Sequence, residues 1–193
     1  PEAQPESLEA LQASLKIAQG ILERREVLGW ISMEGTAALG DDPTQIDHFL
    51  SGGVKVVGLA HLRTNAFIDS ATDQPQHGGL SVAGQALAQR VLDQGAILDT
   101  AHASEEAARD LIGLSRMAGR PIISSHTAAR ALCDHPRNIT DSAAKEIADT
   151  GGLIGVIFHS PYLHCGSQGK RADVAILARH IHHLVALVGS EHV

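Results

Sequence analysis

The chain has 193 residues, 44% of them hydrophobic and 19% charged, with a formal net charge of −7. That is enough length and apolar content for one buried core, and too much apolar content for a disordered chain. No basic block offers nucleic acid a surface, and no apolar run approaches the ~20 residues of a membrane span.

Aromatic residues make up only 3% of the chain, so Ala, Leu, Ile and Val must fill the core. Pro1 to Glu6 are acidic and polar and do not read as a signal peptide. From Ser7 to about Arg25, Leu8, Leu11, Leu15, Ala18 and Leu22 recur at helical spacing, with Ser7 as a cap. A strand then runs to Glu34. Pro43 to Ser51 reads as a helix ended by Gly52-Gly53, and a second strand runs to His61. Leu62 to Gly79 is polar and without period, a loop long enough to suggest function. Ser81 caps a helix carrying Val82, Leu87, Val91 and Leu92, which Gly95 stops.

A strand to His102 follows. Ser104 then caps a helix whose first turn holds Glu105 and Glu106, where carboxylates suit the helix dipole. The next strand runs to His126, and a helix follows from about Asp141 to Asp149, closed by Gly151-Gly152. Leu153 to Phe158 has the composition of a fully buried strand. Asp173 to Val188 is a last helix, and Glu191 to Val193 reads as the start of a further strand. His180, His182, His183 and His192 lie in or after that helix and read as packing or surface residues. Strict alternation of strand and helix predicts an α/β fold with a parallel sheet.

Four of the strand-like runs end on chemically capable side chains: Glu34, His61, His102 and His126. Such endings suit the C-terminal rim of a parallel barrel, where a (β/α)8 enzyme carries its chemistry. One carboxylate with three imidazoles suits zinc or a similar borderline metal.

The residues around these endings resemble the membrane dipeptidase (renal dipeptidase) family of zinc peptidases. The matching stretches are Ser32-Met33-Glu34-Gly35, Gly58-Leu59-Ala60-His61 with Asn65, and Gly79-Leu80-Ser81 with Gly84. They continue with Leu98-Asp99-Thr100-Ala101-His102-Ala103-Ser104 and Ser125-His126-Thr127-Ala128-Ala129-Arg130-Ala131-Leu132, running on through His135-Pro136-Arg137-Asn138. Each is weak alone, but their order and spacing hold from about Ile21 to Val193. The resemblance implies a (β/α)8 barrel of the TIM type, and a dipeptidase acting through a hydroxide shared by two zinc ions. Glu34 would bridge the ions, and His102 and His126 would complete one of them. His61 would stabilise the oxyanion of the attacked carbonyl rather than hold metal, and Arg137 would bind the substrate's terminal carboxylate. Asp99 and Asp69 are candidates for orienting ligands or ordering loops.

Two departures accompany the resemblance. The chain contains no His-x-Asp pair, which the family uses for its other metal site, and it stops where a C-terminal aspartate would follow. On this reading residues 1–193 are a partial barrel, about strands three to seven plus the start of strand eight, and would be inactive alone. Cys133 and Cys165 occupy positions that resemble a pair bridged in some family members. A bridge would place the protein in the periplasm or outside the cell, and two reduced thiols would suit the cytoplasm. The substrate implied is a dipeptide, and a homodimer is compatible with the family. Two other readings remain: a related amidohydrolase of a non-peptide amide or β-lactam, and an inactive scaffold.

Overall fold

The computed structural model describes residues 29–165 and 171–193, with single positions between 8 and 19. The helix expected over Ser7 to Arg25 therefore falls largely outside the described residues. Five strands alternate with helices: β1 (Ile31–Glu34), α1 (Ile46–Ser51), β2 (Val54–Gly58), α2 (Val82–Asp93), β3 (Ile97–Asp99), α3 (Glu105–Met117), β4 (Ile122–Thr127), α4 (Asp141–Asp149), β5 (Ile154–Val156), α5 (Ser160–Leu163) and α6 (Val174–Val188). The strands form one parallel sheet in the order β1-β2-β3-β4-β5.

Side-chain caps start the longer helices where the sequence places them. The Ser81 hydroxyl accepts the Gly84 amide and Ser104 accepts that of Ala107. Thr140 accepts from Ala143 and Asp173 from Ile176. Each cap satisfies an amide that has no partner within its own helix. Gly95 and Gly151 take left-handed conformations just past α2 and α4, as helix stops require.

In-register pairing decides which side of the sheet each residue faces. Met33, Val57, Leu98 and Ile122 form one cross-strand row, all buried. They belong to the core, with Phe49, Leu87, Leu111 and Ile147 from the helices. The next row, Glu34, Gly58, Asp99 and Ile123, faces the other way. It contributes to a cleft of about 360 Å³ that Trp30, Ser32, Val56 and Ser125 also line.

Two expectations need correction. The stretch Leu153 to Phe158 is not a fully buried strand: β5 keeps only Ile154–Val156, with Leu153 and Phe158 exposed. Among the described strands it pairs on one side only, with β4, so its other edge has no strand beside it. Residues 191–193 do not start a strand. Ser190–His192 is a turn of 3-10 helix, and the His192 ring bonds the Gly152 carbonyl at 2.8 Å instead of the backbone pairing with β5. The short helix α5 was not anticipated; Pro161 near its start suits a first helical turn.

Candidate metal and substrate site

The same register builds the site. Glu34, Gly58, Asp99 and Ile123 stand level across β1 to β4. His61, His102 and His126 each follow the last three of these by three residues. A parallel sheet advances every strand in the same direction, so equal offsets from a level row deliver side chains to one rim. His159 follows the end of β5 by the same offset. An open cleft of about 450 Å³ is lined there by Glu34, His61, His102, His126, Ile157, His159 and Tyr162.

Three of these atoms converge. Glu34 Oε1 lies 3.0 Å from His102 Nε2 and 3.1 Å from His126 Nε2, and the two ring nitrogens are 2.9 Å apart. Ligands about 2.0–2.1 Å from a tetrahedral zinc lie roughly 3.3 Å from each other. The triangle therefore has nearly the size that a shared cation needs. Glu34, His61 and His102 also offer ligand atoms within 4.8 Å of one another, so His61 stands beside the triangle. The oxygen and nitrogen donor set and its spacing fit a divalent metal of the zinc type.

Charge follows from the contacts. Hydrogen bonds from His102 and then His126 hold the Glu34 carboxyl well below the usual carboxylate range, so it is ionised at neutral pH. Burial pushes the His102 imidazole down, against the opposing pull of Glu34. The two directions describe an ionised carboxylate facing a neutral His102 imidazole, and a neutral imidazole is the form of histidine that ligates metal.

The residues behind the triangle fix its orientation. His126 Nδ1 bonds the Ser125 hydroxyl at 2.8 Å, which leaves Nε2 for the site. His126 itself sits in a bulge: Ser124 pairs with Ile154 and Thr127 with Val156, so Ser125 and His126 oppose Gly155 alone. A Cβ on Gly155 would lie 2.0 Å from the Ser125 carbonyl oxygen, so only glycine admits this approach. His102 has φ +68°, the one left-handed non-glycine among the described residues. Its carbonyl accepts the Ala71 amide at 2.8 Å, and Ser70 bridges Ala103.

The long loop after β2 thus has a structural task. Asp69 is buried, and its carboxylate accepts amides of Gln76, His77 and Gly79 at 2.7–3.1 Å. These amide bonds outweigh burial and lower its pKa. Asp99 acts likewise at the rim, accepting the amides of Ala101 and Ser125, each at 2.9 Å. Both carboxylates order backbone, Asp69 within the loop and Asp99 next to His102 and His126.

Arg137 is buried to 4% exposure, and its guanidinium has no carboxylate partner among the described residues. It lies over the Tyr162 ring at 5.6 Å, and its Nε has no hydrogen-bond partner there. Burial pushes its pKa down, opposed by Tyr162, Glu34 and Asp99, but a guanidinium keeps its charge in any protein setting. A buried, unpaired cation beside a cleft suits an anionic ligand. Tyr162 and His159 were not singled out from sequence. The strand-end offset would have found His159; nothing local marks Tyr162.

Cys133 and Cys165 form a disulfide, with Cα atoms 5.1 Å apart. It joins the loop after β4, which carries Arg137, to the segment after α5. No helix among the described residues is long and apolar enough to cross a membrane. His180 is buried and uses both ring nitrogens, accepting the Ala129 amide and bonding the Leu163 carbonyl. It is a packing residue, as its place in the sequence suggested.

The fold is similar to solved structures of the same kind. A probable dipeptidase, PvdM, from Pseudomonas aeruginosa superposes with a TM-score of 0.84 at 24% identity, over 94% of this chain and 64% of that one. A metallo peptidase from Rhodobacter sphaeroides, liganded with a phosphinate mimic of the dipeptide L-Ala-D-Ala, gives a TM-score of 0.76 at 25% identity, over 92% and 52%. Dipeptidase aclJ of Aspergillus oryzae is 30% identical over 84% of this chain, which spans 38% of that protein's length. The family model for membrane dipeptidase, peptidase family M19, matches residues 2–193. The chain belongs to the membrane dipeptidase family.

Proposed function

We propose that this chain carries part of the active site of a zinc-dependent dipeptidase. The observation that supports this most is the triangle of Glu34, His102 and His126, set beside His61 and a buried Arg137 that has no carboxylate partner among the described residues. Its five strands would correspond to the third to seventh of an eight-stranded barrel. Glu34, His102 and His126 would hold the metal, with Glu34 shared between two ions as the family resemblance implies. Bound zinc would polarise the scissile carbonyl and lower the pKa of water near neutrality.

The protein's own groups do the rest. His102 and His126 present Nε2 to the same point, with the Ser125 hydroxyl occupying His126 Nδ1. His61 would donate a hydrogen bond to the carbonyl oxygen as negative charge develops there. Arg137 would take the terminal carboxylate and fix how far the peptide bond lies from the triangle. The family and the structural similarity to a metallo peptidase liganded with a mimic of the dipeptide L-Ala-D-Ala support a short peptide substrate. The disulfide supports an oxidising compartment, periplasmic or extracellular.

The test is His126→Ala in the intact protein, with zinc content and hydrolysis of a panel of L,L and L,D dipeptides measured together. Both are expected to fall, the rate by at least 100-fold. Undiminished hydrolysis would refute the site. Faster turnover of an N-acyl amino acid than of any dipeptide would favour the wider amidohydrolase reading.

A further inference from the structure

Asn138 is buried at 2% exposure next to Arg137, and its side chain spans two loops. Its Nδ2 donates to the Cys133 carbonyl at 2.7 Å and to the Tyr162 carbonyl at 2.7 Å. Two carbonyl acceptors require the NH2 end of the amide to face them, which fixes the side chain's orientation. Its backbone is tied as well: the amide meets the His135 carbonyl, and its own carbonyl takes Arg130 Nε. The residue thus joins the loop after β4 to α5 at one point.

Tyr162 stands at the end of that link. Its ring lies 4.6 Å from the His135 ring and 4.7 Å from that of His159, and it carries the Arg137 guanidinium on its face. Arg137 has few other holds on its charged end; Nη2 reaches the His126 carbonyl only at 3.4 Å. The position of the guanidinium therefore depends on where the Tyr162 ring sits, and the backbone of Tyr162 is pinned by the Asn138 amide. The nearby disulfide joins the same two segments covalently. It ties the segments at Cys165, beyond Tyr162, whereas Asn138 holds the Tyr162 carbonyl itself.

We infer that Asn138 is a positioning residue for substrate carboxylate binding: through the Tyr162 carbonyl it sets the ring on which Arg137 rests. This rests on the dipeptidase reading and on Arg137 as the carboxylate anchor. Asn138 touches neither substrate nor metal ligands, so its removal should act on binding and spare the chemical step.

The experiment compares wild type, Arg137→Ala and Asn138→Ala in the zinc-loaded intact protein, reading KM and kcat for a dipeptide and for its C-terminal amide. Calorimetric binding of the dipeptide to the metal-free protein gives a readout that needs no turnover. Asn138→Ala is expected to raise KM about tenfold with kcat within twofold. It should narrow the preference for the free carboxylate, weaken binding in parallel and keep full zinc content. An unchanged KM beside a raised one in Arg137→Ala would overturn this inference alone. Equal loss of kcat and zinc would overturn it too, by making Asn138 a support of the whole site. An unchanged KM in Arg137→Ala would remove the anchor and this inference with it. Should Asn138→Ala not fold, Tyr162→Leu, at a half-exposed position, carries the same expectation, and a wild-type KM there would be decisive against it.

Discussion

The carbonyl of His102 accepts the amide of Ala71 at 2.8 Å, so the loop after β2 holds a candidate metal ligand by its backbone. His102 has φ +68°, a conformation that costs about 1–3 kcal/mol outside glycine and persists only when its surroundings enforce it. The loop supplies that enforcement.

Ala71→Pro removes the one donor this carbonyl uses. Zinc affinity is expected to fall roughly 10-fold or more, as when other supports of metal-bound histidines are lost. Ala71→Ser keeps the N–H and should bind zinc as wild type does. Equilibrium dialysis of both variants against zinc checks the contrast.

Asp69 gives a pH dependence with a definite sign. Its folded pKa lies below the ordinary value because amides of the same loop hold the carboxylate. Its contribution is therefore complete above the unfolded pKa of about 4, and is lost as pH falls through that value toward the lower folded one. Asp69→Asn should cost about 2 kcal/mol at pH 7 and flatten the acid limb of the unfolding curve. Urea melts between pH 3 and 7 measure both effects.

Gly155→Ala would drive a Cβ into the Ser125 carbonyl oxygen, 2.0 Å away, beside His126. Overpacking of this kind costs about 1–3 kcal/mol. Here β5 must move off the bulge that aims His126, so zinc content should fall along with melting temperature. A stability loss with unaltered zinc binding would mean that the bulge does not aim the ring.

The disulfide closes a loop with a sequence separation of 32 residues. A bridge of that span contributes about 3–4 kcal/mol by constraining the unfolded chain. Cys133→Ser with Cys165→Ser, or reduction by dithiothreitol, should lower stability by that amount. Denaturant midpoints with and without reductant give the comparison.

The strands, the helix caps and the residues that converge at the rim were legible because they depend on local patterns. Val, Ile and Leu runs marked β2 and β4, caps at Ser81 and Ser104 marked their helices, and chemically capable residues lay at or near strand ends. What was not legible depends on neighbours distant in sequence. The bulge at Ser125 and His126 exists only because Gly155 lies opposite. Leu153 and Phe158 looked buried because composition does not say how far a strand's pairing extends. Tyr162 gains its place from a bond to Asn138, 24 residues away. The strain at His102 comes from a loop with no periodic signal. Sequence showed which residues were capable of chemistry, and long-range contacts determined how each was held.

The level row Glu34, Gly58, Asp99 and Ile123 has a consequence for how such a protein can vary. The site works as a ruler laid across the sheet: each histidine is reached by counting a fixed distance beyond a shared line. The helices lie outside that measured interval, so they can lengthen, shorten or change in sequence while the line stays straight. A single residue inserted between Gly58 and His61, or between Asp99 and His102, would misplace one of these histidines and leave the rest of the fold intact. Variation in length should therefore be tolerated between one rim segment and the next strand, and excluded within the short count itself.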